Sequence, residues 1–125
     1  MSSFANTVIP YYPVLSSKFG SVTSAILFAK LEQLFAENSN EPFHKFLKPC
    51  EHKEYEKGES WIEELGMTET EFRTAFSKIG VAYKSKKEFD NSDDKFQGKC
   101  YCSYIDRIER KTYYFINKSL FKKDR

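Results

Sequence analysis

Ser60-Trp61-Ile62-Glu63-Glu64-Leu65-Gly66-Met67-Thr68-Glu69-Thr70-Glu71-Phe72-Arg73-Thr74-Ala75-Phe76-Ser77-Lys78-Ile79-Gly80 is the stretch on which the fold turns. It opens twice with a hydroxyl residue followed three places later by glutamate, Ser60 with Glu63 and Thr68 with Glu71. In that spacing the hydroxyl accepts from a first-turn N–H while the glutamate reaches back to the cap, so each pair starts a helix. Gly66 stops the first helix and takes the positive φ that sets the second at a steep angle. Leu65 and Met67 plug that angle. Phe72, Ala75, Phe76 and Ile79 recur at steps of three, one and three, which is one apolar helical face. Gly80 ends the second helix at the position glycine favours. The unit is a helix-turn-helix whose outer face carries Glu69, Thr70, Arg73, Thr74 and Ser77.

On the N-terminal side, Val22 to Asn38 repeats apolar residues at three- and four-residue steps behind Ser21, a capping residue, and predicts a helix of four or more turns. Val8 to Leu15 carries Pro10 and Pro13 and reads as an extended edge strand. Glu41 to Leu47, with Pro42 at a first helical position, predicts a helical turn that Pro49 closes. His52 to Gly58 is a polar connection. Beyond Gly80 the apolar period changes to two. Val81–Tyr83, Lys99–Ile105 and Thr112–Ile116 read as strands, with Asp90–Asp94 as a turn between the first two and Ile108–Lys111 as a tight link between the last two. Helices followed by an antiparallel hairpin or a small three-stranded sheet make an α+β class. The chain reads as one domain over 1–125, its core about 20–117, with an extended N-terminal segment and a short basic C-terminal tail.

Composition agrees with a single packed domain: 125 residues, 40% of them hydrophobic, suffice for one core and leave little for a second. The longest apolar run, Ala25–Ala29, is far too short to span a bilayer. No basic residue precedes an apolar run at Met1–Thr7, so no secretory signal is expected. Three cysteines, an odd count, point to reduced thiols and a cytoplasmic setting. The net charge of +2 averages two unlike parts. Residues 1–80 hold eight Lys/Arg against eleven Asp/Glu, net −3, and residues 81–125 hold twelve against seven, net +5. Such asymmetry is a hint of a polyanionic partner, although a lysine-rich segment also serves simply as a solvated surface.

The order of these elements resembles the winged helix-turn-helix family. Trp61–Thr68 and Phe72–Gly80 look like its second and third helices, Val22–Asn38 like its first, and the hairpin after Gly80 like its wing. The DNA-binding domains of phage- and plasmid-borne replication proteins and other mobile-element proteins are similar. The resemblance implies a protein of replication or transcription regulation that binds double-stranded DNA, with the Thr68–Lys78 helix in the major groove and the wing on phosphate or in the minor groove. It then implies base-facing roles for Thr70, Arg73, Thr74 and Ser77, with Arg73 suited to a guanine edge. Thr68 and Lys78 would lie nearer the backbone. Lys84, Lys86 and Lys87 would begin the wing, and Lys95, Lys99, Arg107, Arg110 and Lys111 would lie farther along it, giving salt-sensitive phosphate contacts. With so little net charge, binding would be weak and salt-sensitive, or would depend on a second copy of the chain or on a larger replication or regulatory partner.

Glu69 and Glu71 depart from that picture. Carboxylates in the first turn meet phosphates unfavourably, although they suit the positive end of the helix dipole. The alternative is a protein-interaction module on the same fold, docking a partner through this face. A third reading has Tyr101, Tyr104, Tyr113 and Tyr114 stacking on unpaired bases, against which stands their value as cross-strand packing in a small core.

No cofactor and no enzyme activity is expected. Cys50-Glu51-His52 and Cys100-Tyr101-Cys102 contain zinc-type ligands, but zinc sites favour two to four intervening residues. Alternation on a strand would place Cys100 and Cys102 on one face, as small buried hydrophobes. Glycine-rich phosphate loops and nucleophile elbows are missing, and Glu63-Glu64 and Asp93-Asp94 read as solvated pairs.

Overall fold

A computed structural model describes residues 8–122; the reading of Met1–Thr7 and the end of the basic tail, 123–125, lie outside the described residues. The elements run α1 (Pro13–Phe19), α2 (Val22–Glu37), β1 (Phe43–His44), α3 (Trp61–Leu65), α4 (Glu69–Ile79), β2 (Gly80–Tyr83), α5 (Lys86–Asn91), β3 (Tyr101–Asp106), β4 (Lys111–Ile116) and α6 (Lys118–Lys122). The class is α+β. Among the described residues no helix is long and apolar enough to cross a membrane.

Both capping boxes form, at Ser60 with Glu63 and at Thr68 with Glu71. Gly66 closes α3 at φ 67°, the left-handed conformation that glycine adopts without a Cβ clash. Ser21 caps α2 by accepting from the Ser24 N–H. The core gathers Leu27, Phe28, Leu31 and Phe35 of α2, Trp61 of α3, the four apolar residues of α4, and Tyr101, Tyr114 and Ile116 of the sheet. Ser24, fully buried in α2, donates to the Ala75 carbonyl of α4 at 3.0 Å. That bond satisfies a hydroxyl which would otherwise be costly at a close helix crossing.

The sheet has four strands in the order β1-β4-β3-β2. β4 pairs antiparallel with β1 on one side and with β3 on the other, with Phe43 and Ser103 both opposite Tyr114. β2 instead runs parallel to β3, Gly80 beside Tyr101 and Tyr83 beside Tyr104. A purely antiparallel hairpin or three-stranded sheet is therefore corrected to a mixed one. Residue alternation carries no information on strand direction, and residues 84–100 are long enough for the crossover that parallel pairing requires. That crossover holds α5, capped by Ser85, where the sequence suggested only a turn at Asp90–Asp94.

Two further readings change. Val8–Leu15 is not an edge strand: Pro13 opens α1, where its missing N–H costs nothing and its fixed φ suits a first turn. Glu41–Leu47 is not a helical turn, because Phe43 and His44 pair with β4 and Phe43 packs on Phe35 and Tyr114. Sheet pairing there overrides the local proline signal.

Side chains on β2 and β3 alternate between two environments. Tyr83, Cys102 and Tyr104 form a second cluster beneath α5 with Phe89 and Phe96, and β4 adds Tyr113 and Phe115 to it. Cys100 packs on the other cluster, so the two strand cysteines do not share a face. Burial raises both thiols, that of Cys102 to about 12, which keeps them protonated and inert.

Gly80 does not adopt the positive φ of a helix-capping glycine; at φ −155° it is extended and already belongs to β2. Its need for a bare Cα is steric. A Cβ there would stand 2.7 Å from Phe76 Cζ and 3.0 Å from the Tyr101 carbonyl oxygen. Gly80→Ala should lower the unfolding free energy by about 1–3 kcal/mol through overpacking. Gly66→Ala, where nothing lies within 4 Å of the added carbon, should lose about 1 kcal/mol through backbone strain alone. Urea unfolding of both variants, each compared with the wild type, checks the two values.

Candidate nucleic-acid interface

The capping box fixes where α4 begins and hence which residues point outward. Glu71 N–H donates to Thr68 Oγ1 at 3.1 Å, and Thr68 N–H donates to Glu71 Oε1 at 2.9 Å. With Phe72, Ala75, Phe76 and Ile79 buried, Thr68, Thr70, Arg73, Thr74, Ser77 and Lys78 are all exposed. Ser77 spends its hydroxyl proton on the Thr74 carbonyl at 2.7 Å, leaving its oxygen as an acceptor.

Glu69 is not a free charge in this face. It pairs with Lys48 at 3.1 Å and with Arg73 at 3.4 Å. The Lys48 hydrogen bond, with the charges of Lys48 and Arg73, holds the Glu69 carboxyl below its ordinary range. Lys48 in turn lines a small cavity together with Arg110 and His52. Adjoining that cavity at Leu47, Arg73, Ser77, Lys84 and Lys99 line one groove of about 520 Å³ between the helix and the sheet. The Lys99 ammonium donates to the Ser77 carbonyl at 2.6 Å, tying the strand entry to the helix C-terminus. A basic arc thus passes around α4, from Arg110 through Lys48 and Arg73 to Lys84 and Lys99.

The remaining candidates lie elsewhere. Lys86 and Lys87 are exposed on α5, which packs on the opposite face of the sheet from α4, and Lys86 pairs with Asp90 at 3.1 Å. Lys95 sits 4.9 Å over the Phe89 ring and donates to the Ser92 carbonyl at 2.9 Å. Lys84, Lys86 and Lys87 therefore do not open a hairpin; the antiparallel hairpin is β3–β4, with Arg107 and Arg110 exposed at its tip. Lys111 is largely covered and bound to Glu54 at 2.9 Å.

That tip is tightly braced. Asp106 Oδ1 accepts from the Ile108 and Glu109 N–H groups, both at 3.0 Å. His52 Nε2 meets the Glu109 carbonyl at 2.9 Å, so this nitrogen carries the proton, while Nδ1 accepts from the Glu54 N–H. The Tyr113 hydroxyl donates to Glu109 Oε1 at 2.5 Å, and this bond pushes its pKa up to about 12. The sequence does not signal Lys48 as a participant, and it marks His52 only as a zinc-type ligand, not as a brace of the hairpin tip. Both lie in irregular, proline-flanked chain, where periodicity carries no signal.

Among the described residues no three His, Cys, Asp or Glu side chains converge on a metal-sized site. Set against protein-family models, curated proteins and solved structures, the chain matches none.

The position of α4 depends on α3, and α3 depends on Glu63. Its carboxylate accepts from the Tyr55 hydroxyl at 2.5 Å, from Ser60 Oγ at 2.7 Å and from the Gly58 and Ser60 N–H groups at 3.1 Å. Tyr55 foremost, then Ser60, depress the carboxyl from 4.5 to about 2. A depressed carboxyl gives stability that is fully present above its unfolded value and lost as pH falls through the folded one. The stability difference between wild type and Glu63→Gln should therefore be constant above pH 4.5 and shrink between 4.5 and about 2. Thermal unfolding of the two proteins across that window checks it.

Proposed function

We propose that the chain is a double-stranded DNA-binding domain on a winged helix-turn-helix plan, acting in replication or regulation of a mobile element as its sequence resemblance implies. In this reading α2, α3 and α4 are the three helices, α4 enters the major groove, and β3–β4 is the wing, paired to β1 as a three-stranded antiparallel unit. β2 and α5 are an insertion between the reading helix and the wing. The observation that carries the reading is the basic arc around the exposed face of α4, formed by Arg110, Lys48, Arg73, Lys84 and Lys99. Cations beside a helix that fits the major groove are placed for the phosphates that flank it. Arg73, Thr70 and Thr74 then face base edges, and the arginine tip of the wing reaches the adjoining backbone.

The same geometry distinguishes between the lysines. Lys84→Ala with Arg110→Ala should weaken binding to random duplex and lower the slope of log Kobs against log salt by about 1 per cation removed. Lys86→Ala with Lys87→Ala, on the far face of the sheet, should leave both unchanged. Fluorescence-anisotropy titrations at several salt concentrations read both quantities. Unaltered binding by the Lys84/Arg110 variant removes the assignment of this face.

Glu69→Gln supplies a second test. Removing the carboxylate releases Lys48 and Arg73, so duplex binding at low salt should tighten by several-fold, with a steeper salt dependence. A looser complex in the same titration would mean that Glu69 itself contacts the partner.

A further inference from the structure

Of the buried polar side chains, Ser24, Ser60 and Ser103, two are satisfied: Ser24 donates to Ala75 and Ser60 to Glu63. Ser103 is different. It is only 5% exposed, on β3, and its hydroxyl has no hydrogen-bond partner among the described residues. It lies in the floor of the 520 Å³ groove beside α4. A second hydroxyl without a partner among the described residues, that of Thr112, lines the same groove, opposite Ile105 and two residues along the β3–β4 pairing. Ser103 is buried and Thr112 half-buried, and both hydroxyls are left open toward one cavity, where a group that arrives from outside can meet them.

The rest of the groove defines that group. Phe76 and Phe72 form the helix wall, and Ala82 and Ile105 lie on the sheet. Ile105 is 39% exposed, an unusual state for a strand isoleucine facing inward between two elements. Arg73, Lys84 and Lys99 stand around the groove, and no carboxylate lines it. Lys84 forms no ion pair among the described residues. A concave apolar surface of this volume with a few convergent polar groups is the form of a small-molecule site. Its charge selects an anion, and its apolar walls disfavour a hydrated one such as inorganic phosphate.

We propose that this groove binds a small amphipathic carboxylate, its apolar body against Phe76, Ala82 and Ile105 and its anionic end among Arg73, Lys84 and Lys99, with Ser103 donating a hydrogen bond. Arg73 belongs also to the outer face of α4, so a bound acid competes with duplex DNA. That coupling rests on the function proposed above, whereas the binding of the acid does not.

Isothermal titration of the full chain with naphthalene-2-acetate, and with its neutral amide, tests the site without DNA. The acid should bind saturably with Kd of about 1 mM or tighter, and the amide about tenfold more weakly. Ala82→Leu, which fills the groove from an exposed strand position, should abolish binding. Ser103→Ala should weaken it about threefold without lowering the unfolding midpoint, because the hydroxyl it removes is unbonded in the free protein. Lys84→Gln, remote from the core, provides the same test should Ala82→Leu fail to fold, with about a fivefold loss. Absence of saturation, equal affinity for acid and amide, or full binding by a folded Ala82→Leu variant overturns the proposal. Failure to bind duplex, with the acid still bound, would overturn only the DNA-binding reading.

Discussion

Trp61 is the residue through which the separate parts of this molecule hold one another. Its side chain is fully buried, stacks on Phe72 of α4 at 5.2 Å, and meets Tyr114 of β4 edge-on at 5.5 Å. Its indole N–H donates to the Tyr114 hydroxyl at 2.9 Å, and its backbone N–H donates to the Phe46 carbonyl at 2.9 Å. One residue thus links the two helices of the turn, the central antiparallel strand and the irregular chain after β1. Burial raises the Tyr114 phenol well above its ordinary value of 10.0, against the opposing pull of the Trp61 N–H, and so keeps it protonated. A buried donor and a buried acceptor that satisfy only each other specify a unique arrangement, because any slip would leave both unpaired. The outward direction of α4, and with it the whole candidate interface, follows from that contact.

Electrostatics around α4 work by partial cancellation. A helix beginning with two glutamates is well capped and well matched to its dipole, yet is a poor surface for a polyanion. Lys48 and Arg73 resolve the conflict at Glu69, while Glu71 is turned back into the capping box. What remains toward solvent is a modest positive arc, in keeping with the small net charge of +2. Any affinity for a polyanion is then set by geometry and by a few cations, and it must be sensitive to salt. A strongly basic surface would bind more tightly but would choose less.

Much of this was legible in the sequence wherever the signal is local. Both capping boxes, the stop at Gly66, the long α2 and the buried stripe of α4 depend on residues within one or two turns of each other, so spacing alone reveals them. The misreadings are all decided by distant partners. Phe43 and His44 become a strand only because β4 offers an edge to them. Proline at 13 was visible, but whether it breaks a strand or opens a helix depends on the packing of Leu15 and Phe19 against the core. The direction of β2 was hidden for the same reason, since Val81, Ala82 and Tyr83 read identically in either orientation. Residue type and proximity in sequence group the candidate lysines together, but the crossover through α5 sends Lys86, Lys87 and Lys95 to the far side of the sheet from Arg73.

The parallel strand has a consequence for what the surface can do. A three-stranded antiparallel unit of β1, β4 and β3 would be capped by α2 and α4 over Tyr101, Tyr114 and Ile116. β2 adds an edge beneath the end of α4, where Gly80 meets Phe76, while α5 covers only the opposite face, over Tyr83, Cys102 and Tyr104. Ala82, Ser103, Ile105 and Thr112 lie on the helix side and line the groove beside α4. The steric demand at Gly80 sharpens this, because the close approach of Phe76 brings α4 directly down onto the strand that follows it. The concave surface is therefore a product of topology: a strand that follows α4 directly creates a wall and a floor that meet at Gly80, and places the groove beside the residues that face outward from α4.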